Sequence, residues 1–214
     1  MLQEFNKKKI LLAYYGGSTA YQTTNENSDK DVIVVLDNFD GYDHLAVPSK
    51  GVEYFIFGKE QFIDKMNFDK TITPYLLIFN DDILADVPPI VLDESFVETY
   101  NQIRNRPFGE FMKDYLGAVI TYYGTLLKTN TLRKNMYHLY RIEEQVKRYL
   151  ETESFTLGVS EDTLEKMMVL KDNYQTNNVE ILTELKAISN YLKGVQKNEC
   201  NWSNPDDHFR FRNH

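Results

Sequence analysis

Gly16-Gly17-Ser18-Thr19-Ala20-Tyr21-Gln22, followed by Ser28-Asp29-Lys30-Asp31-Val32-Ile33-Val34-Val35-Leu36, is the stretch whose reading decides the fold. It predicts a glycine turn, a short loop, and then a strand opened by two carboxylates. Ile10 to Tyr15, just before it, is an apolar run between lysines and glycines and predicts a buried strand. Gly16 and Gly17 let the backbone turn sharply and approach a ligand closely, because neither carries a Cβ. Ser18 supplies a hydroxyl at the start of a helical turn, where free backbone N–H groups favour an anion such as phosphate.

Asp29 and Asp31 are two residues apart, so in a strand their side chains share a face. Two neighbouring carboxylates repel unless a cation lies between them. Hard oxygen ligands of this kind suit Mg²⁺ and a nucleoside triphosphate. The residues after Asp31 are nearly all apolar and β-branched, which predicts a rigid buried strand beneath the acids.

The motif Gly17-Ser18-x-x-Tyr21, then Ser28-Asp29-x-Asp31 and an apolar strand, resembles the signature of the DNA polymerase β-like nucleotidyltransferase superfamily. The eleven-residue step from Ser18 to Asp29 and the Ala20-Tyr21 pair are similar to one branch, the predicted nucleotidyltransferases associated with RNA ligases of bacteria and phages. The resemblance implies that the Gly17-Ser18 turn and Tyr21 hold the triphosphate of an NTP such as ATP. It implies that Asp29 and Asp31 hold Mg²⁺ or Mn²⁺, with a third carboxylate on a later strand. That branch usually has glycine where this chain has Gln22.

Composition sets the frame. Hydrophobic residues make up 42% and charged residues 26% of 214, which suits a globular protein of one or two small domains. A single cysteine, Cys200, excludes an internal disulfide and fits a reducing cytoplasm. Met1 to Lys9 lacks the apolar core of a signal peptide, and no run approaches the roughly 20 apolar residues of a membrane span. Residues 1–105 carry nine Lys/Arg against seventeen Asp/Glu, whereas residues 106–214 carry fifteen of each. The whole net charge of −8 therefore lies in the half with the acidic motif. That favours a cation site and argues against broad binding of a nucleic-acid backbone.

Val52-Glu53-Tyr54-Phe55-Ile56-Phe57 predicts another buried strand, after a polar loop from Asp37 to Gly51. Glu53 is its only charge. It is either a guard against aggregation on an edge strand or, as the resemblance implies, the third metal carboxylate. Lys59 to Phe68 has helical spacing, and Thr73-Pro74 marks the start of a further helix that Asn80 and Asp81-Asp82 end. Asp81 and Asp82 read as solvated loop residues. Pro88-Pro89 suits a junction.

Beyond Asp93 the periodicity turns helical. Phe108 to Leu127 predicts a long helix with Phe111, Tyr115, Val119, Tyr122 and Leu126 on its core stripe. Thr131 to Tyr149 predicts another, with Leu132, Met136, Leu139, Val146 and Leu150 inward, and two more are expected over Glu161–Val169 and Val179–Val195. Lys134, His138 and Arg141 fall at i, i+4 and i+7 and so share a polar face, which by itself reads as solvated. The resemblance, which spans residues 9–195, closely in the first half and loosely in the second, implies contacts from these three to the triphosphate or the acceptor.

The expected architecture is α+β. A small mixed-sheet nucleotidyltransferase domain spans residues 1–90, a helical domain 91–197 and a tail 198–214. The expected activity is Mg²⁺-dependent transfer of a nucleoside monophosphate from an NTP to a hydroxyl of an RNA end, a protein or a small molecule. In it Asp29, Asp31 and Glu53 are catalytic, and Gly17, Ser18, Tyr21, Lys134, His138 and Arg141 bind nucleotide. A non-catalytic nucleotide-binding or antitoxin-like protein of the same fold is the alternative. A phosphohydrolase is a weaker one.

Overall fold

A computed structural model describes residues 5, 8–21, 24, 28–66, 87–105, 107–110 and 112–199. The expected helix after Thr73, Gln22, Asp81-Asp82, Phe111, Cys200 and the tail lie outside the described residues. The chain divides into two compact units, Met1–Pro107 with Ser154–Gly158, and Phe108–Glu153 with Val159–His214. A mixed sheet followed by helices makes the architecture α+β, as expected.

In the first unit β1 (Ile10–Tyr15) leads through a single helical turn, α1 (Gly17–Ala20), into β2 (Lys30–Leu36). Then come β3 (Tyr42–Val47), β4 (Val52–Gly58), α2 (Lys59–Met66), β5 (Pro89–Leu92) and α3 (Val97–Arg104). Among the described residues the sheet order is β3-β4-β2-β1-β5. The segment from Asp37 to Gly51, expected as a polar loop, carries the edge strand β3. Its burial pattern is exposed almost throughout, so no alternation of core and solvent positions marked it. The chain runs from β2 out to this edge and returns as β4 between the two, antiparallel to β3 and parallel to β2. At the end of β4, Gly58 lets the crossing from β2 to β3 lie close: a Cβ there would fall 2.0 Å from the Phe39 carbonyl oxygen. Pro88-Pro89, read as a junction, leads directly into β5, which pairs with β1.

Both faces of the central strands are covered, which explains why β2 reads as a continuous apolar run. On one face Tyr14, Ile33, Val35, Phe55 and Phe57 pack with Phe62 and Met66 of α2 and Phe96 and Tyr100 at α3. On the other, Val32, Val34, Val52, Tyr54 and Ile56 pack together, with Phe5 edge-on to Tyr54 at 5.3 Å. Each fully buried aliphatic of this kind contributes about 1.5–3 kcal/mol, so the strand beneath the acids is held firmly.

The second unit is helical: α4 (Met112–Leu127), α5 (His138–Thr152), α6 (Glu161–Asn173) and α7 (Val179–Glu199). On α4 the buried stripe is Met112, Tyr115, Leu116, Val119, Tyr123 and Leu127. The helix expected from Thr131 to Tyr149 begins later. Lys134–Tyr137 forms a 3₁₀ turn and the α-helix starts at His138. Leu150, expected inward, is exposed. Among the described residues no helix is long and apolar enough to cross a membrane.

Candidate functional site

The acidic motif is built from the backbone outward. Where β1 ends, the Gly16 N–H donates to the Asp31 carbonyl at 3.0 Å, so the glycine turn is tied to the start of β2. The chain reverses at Gly17 with φ +53°, a left-handed conformation that glycine adopts without strain. A Cβ at Gly17 would fall 1.7 Å from Asp31 Oδ2. The carboxylate thus rests directly over the bare α-carbon, and the glycine is required twice, for its φ and for its missing side chain. Ser18 follows, half-buried, and Tyr21 is buried with its N–H donating to the Gly17 carbonyl at 3.1 Å. Thr19 Oγ1 is buried and has no hydrogen-bond partner among the described residues.

Register brings the third acid in. β2 and β4 are parallel, with Asp31 opposite Glu53, Ile33 opposite Phe55 and Val35 opposite Phe57. Alternation then places Asp31 and Glu53 on the same face as the core under α2 and α3, with Asp29 just ahead of β2. They occupy the end of that face where both strands begin. Asp29 is exposed, while Asp31 and Glu53 are half-buried. β4 has a neighbour on each side, so Glu53 is not an edge-strand charge. A lone acid in an otherwise buried interior strand requires another explanation.

Glu53 already has a partner. His44 Nε2 lies 3.3 Å from Glu53 Oε2. The His44 ring stacks on Phe55, with centroids 4.9 Å apart and planes at 30°. The contact turns the Glu53 carboxylate toward the edge strand β3. Among the described residues no group of three His, Cys, Asp or Glu side chains is gathered as a metal centre. The donor chemistry nonetheless fits a hard cation: two carboxylates side by side on parallel strands, with Asp29 just ahead of β2, beside a glycine whose missing side chain leaves room for Asp31.

Lys134, His138 and Arg141 come out differently from the shared polar face expected of them. The 3₁₀ turn breaks the helical phase between Lys134 and His138. Lys134 is exposed, but His138 is 5% and Arg141 0% exposed. Arg141 Nη1 donates to Gln145 Oε1 at 2.7 Å inside the unit, where Lys171 is buried too. Burial, then the charges of Arg141 and Lys171, hold the His138 imidazole well below its usual pKa. A side chain expected to face solvent opposite the apolar stripe is thus part of the interior, and truncating Arg141 is first a packing change.

His44 is the residue that sequence reasoning missed. Its signal was weak because β3 is a short exposed edge strand in which a histidine beside Asp43 looks like loop polarity. No protein-family model matches the chain, and no curated protein matches it.

Proposed function

We propose that the protein transfers a nucleoside monophosphate from an NTP to an acceptor hydroxyl, with Asp29, Asp31 and Glu53 as the acidic centre. The observation that carries this reading is the in-register pairing of Asp31 with Glu53 on parallel strands, with Asp31 lying over Gly17. Two acids side by side repel, and a cation between them offsets that repulsion. Asp29, Asp31 and Glu53 would hold Mg²⁺ or Mn²⁺. Bound there, the cation supplies charge neutralisation at the phosphates.

The remaining work belongs to the chain. The turn at Gly17-Ser18 offers N–H groups and a hydroxyl to the triphosphate, and Tyr21 closes that turn. Glu53 positions the acceptor hydroxyl and takes its proton as the acceptor oxygen attacks the α-phosphorus. The α–β bond breaks and pyrophosphate leaves, in line, with no covalent enzyme intermediate. In the helical unit Lys134 is an exposed cation. His138 and Arg141 are buried in the same unit.

The test is incubation with each α-³²P-labelled NTP and a cell extract, together with pyrophosphate release. Asp29→Ala and Asp31→Ala are each expected to abolish transfer, and Ser18→Ala to weaken it by a smaller factor. Full activity in Asp31→Ala, or a nucleotide–protein adduct that turns over onto the acceptor, overturns the reading. Nucleotide binding with no transfer in any extract supports a non-catalytic nucleotide-binding protein instead.

A further inference from the structure

We infer that His44 is a positioning residue that sets the orientation of Glu53 for a divalent cation, an inference that rests on the metal-dependent reading above. The antiparallel register of β3 and β4 sets His44 opposite Phe55 and Ala46 opposite Glu53. Ala46 is too small to cover Glu53, so the imidazole reaches it diagonally along the same face. The ring is held from below by Phe55 at 4.9 Å, and the backbone N–H of His44 donates to Asp43 Oδ1 at 2.8 Å. A carboxylate only accepts hydrogen bonds, so the 3.3 Å contact requires that His44 Nε2 carry the proton.

That bond occupies Oε2 and leaves Oε1 for a ligand. Glu is a long side chain with several rotamers. A donor on the neighbouring strand fixes one rotamer before the cation arrives. Outer partners of this kind orient metal ligands and are worth about 10–100-fold in metal affinity. The two side chains are 42% and 34% exposed, so the pair stabilises the fold little. Its effect belongs to binding.

The experiment is Mn²⁺ titration of the full chain by electron paramagnetic resonance, with and without NTP, alongside the melting temperature. His44→Phe keeps the ring over Phe55 and removes the donor. His44→Gln keeps a donor. His44→Phe is expected to weaken Mn²⁺ binding about 10–100-fold with an unchanged metal-free melting temperature, and His44→Gln to restore most of it. In a Glu53→Ala background His44→Phe is expected to change nothing further. His44→Ala replaces the Phe variant if that variant fails to fold. Wild-type affinity in His44→Phe, equal losses in the Phe and Gln variants, or additive losses with Glu53→Ala overturn the inference and leave the proposed function standing. Absence of Mn²⁺ binding by the wild-type protein overturns both.

Discussion

The sheet unit and the helical unit treat charge in opposite ways. The sheet unit leaves its acids at the margin: Asp29 is exposed, and Asp31 and Glu53 are half-buried at the start of parallel strands. The helical unit draws positive and polar groups inside, with Arg141 at 0%, Gln145 at 1%, His138 at 5% and Lys171 at 6% exposure. A half-exposed carboxylate retains part of its hydration and is available to a ligand. A fully buried guanidinium has given up its hydration and is committed to the groups around it. The acids at the sheet margin therefore remain accessible to solvent, and the cations inside the helical unit are bound up with its stability.

Truncation of one residue from each unit separates the two roles most sharply. Arg141→Ala removes the largest fully buried side chain among the described residues together with the donor to Gln145. The expected loss is about 3–5 kcal/mol of stability, measured by urea denaturation. Asp31→Asn keeps shape and removes one of two neighbouring negative charges, so the expected change in stability is within about 1 kcal/mol. What Asp31→Asn is expected to lose is the rise in melting temperature that Mg²⁺ gives the wild-type protein. An Arg141→Ala protein of wild-type stability breaks the comparison, as does an Asp31→Asn protein that keeps the Mg²⁺ effect.

The same contrast explains what could be read in advance. Period-two alternation is insensitive to distant context. Once Ile33 to Leu36 reads as a strand, Asp31 falls on the face of Ile33 and Val35, and β4 in parallel register sets Glu53 opposite it. Helical spacing is more fragile, because a single 3₁₀ turn at Lys134–Tyr137 rotates everything after it relative to Lys134. Nor does a polar residue on a helix declare itself solvated when that helix is packed on several sides, as Arg141 and Gln145 show. The edge strand β3 was illegible for a third reason. Its side chains are mostly in solvent, so burial imposes no pattern on Tyr42–Val47, and the His44–Glu53 contact depends on register across the sheet.

A pH titration tests the buried side of the comparison with a smaller effect. The His138 pKa is depressed in the folded protein, by burial and then by Arg141 and Lys171, below the ordinary value of 6.5 that the unfolded chain approaches. The unfolded state therefore binds this proton at a higher pH than the folded state. Stability is insensitive to His138 above about pH 6.5 and falls as the pH drops below it, by at most about 1.4 kcal/mol per pH unit for one proton. The difference between wild type and His138→Gln in urea denaturation is expected to carry that slope. A difference that stays flat down to about pH 5 would show that the imidazole is protonated as readily in the fold as outside it.

The smallest expected effect lies at the start of α6, where the helical unit keeps polar groups near its surface. Ser160 is the N-cap: its Oγ accepts the Thr163 N–H at 3.3 Å. Its own N–H and O–H donate to Glu144 Oε1 and Oε2, each at 2.8 Å, and Arg148 pairs with the same carboxylate one turn along α5. Burial pushes the Glu144 pKa up. The bonds from Thr163 and Ser160 and the charge of Arg148 outweigh it, so the net shift is downward. Because the folded pKa is lowered, the contribution of Glu144 is present above the unfolded value of 4.5 and is lost as the pH falls through the folded value. Ser160→Ala removes the cap and one of the donors to Glu144, and is expected to cost about 1 kcal/mol at about pH 7. Near pH 3 the cost should shrink toward the cap alone, since a protonated Glu144 gains less from the donors that remain in the wild type. Measured by urea denaturation at both pH values, a loss matching that of Arg141→Ala would mean that surface and interior polar groups of this unit count alike. An identical cost at both would detach Glu144 from the cap.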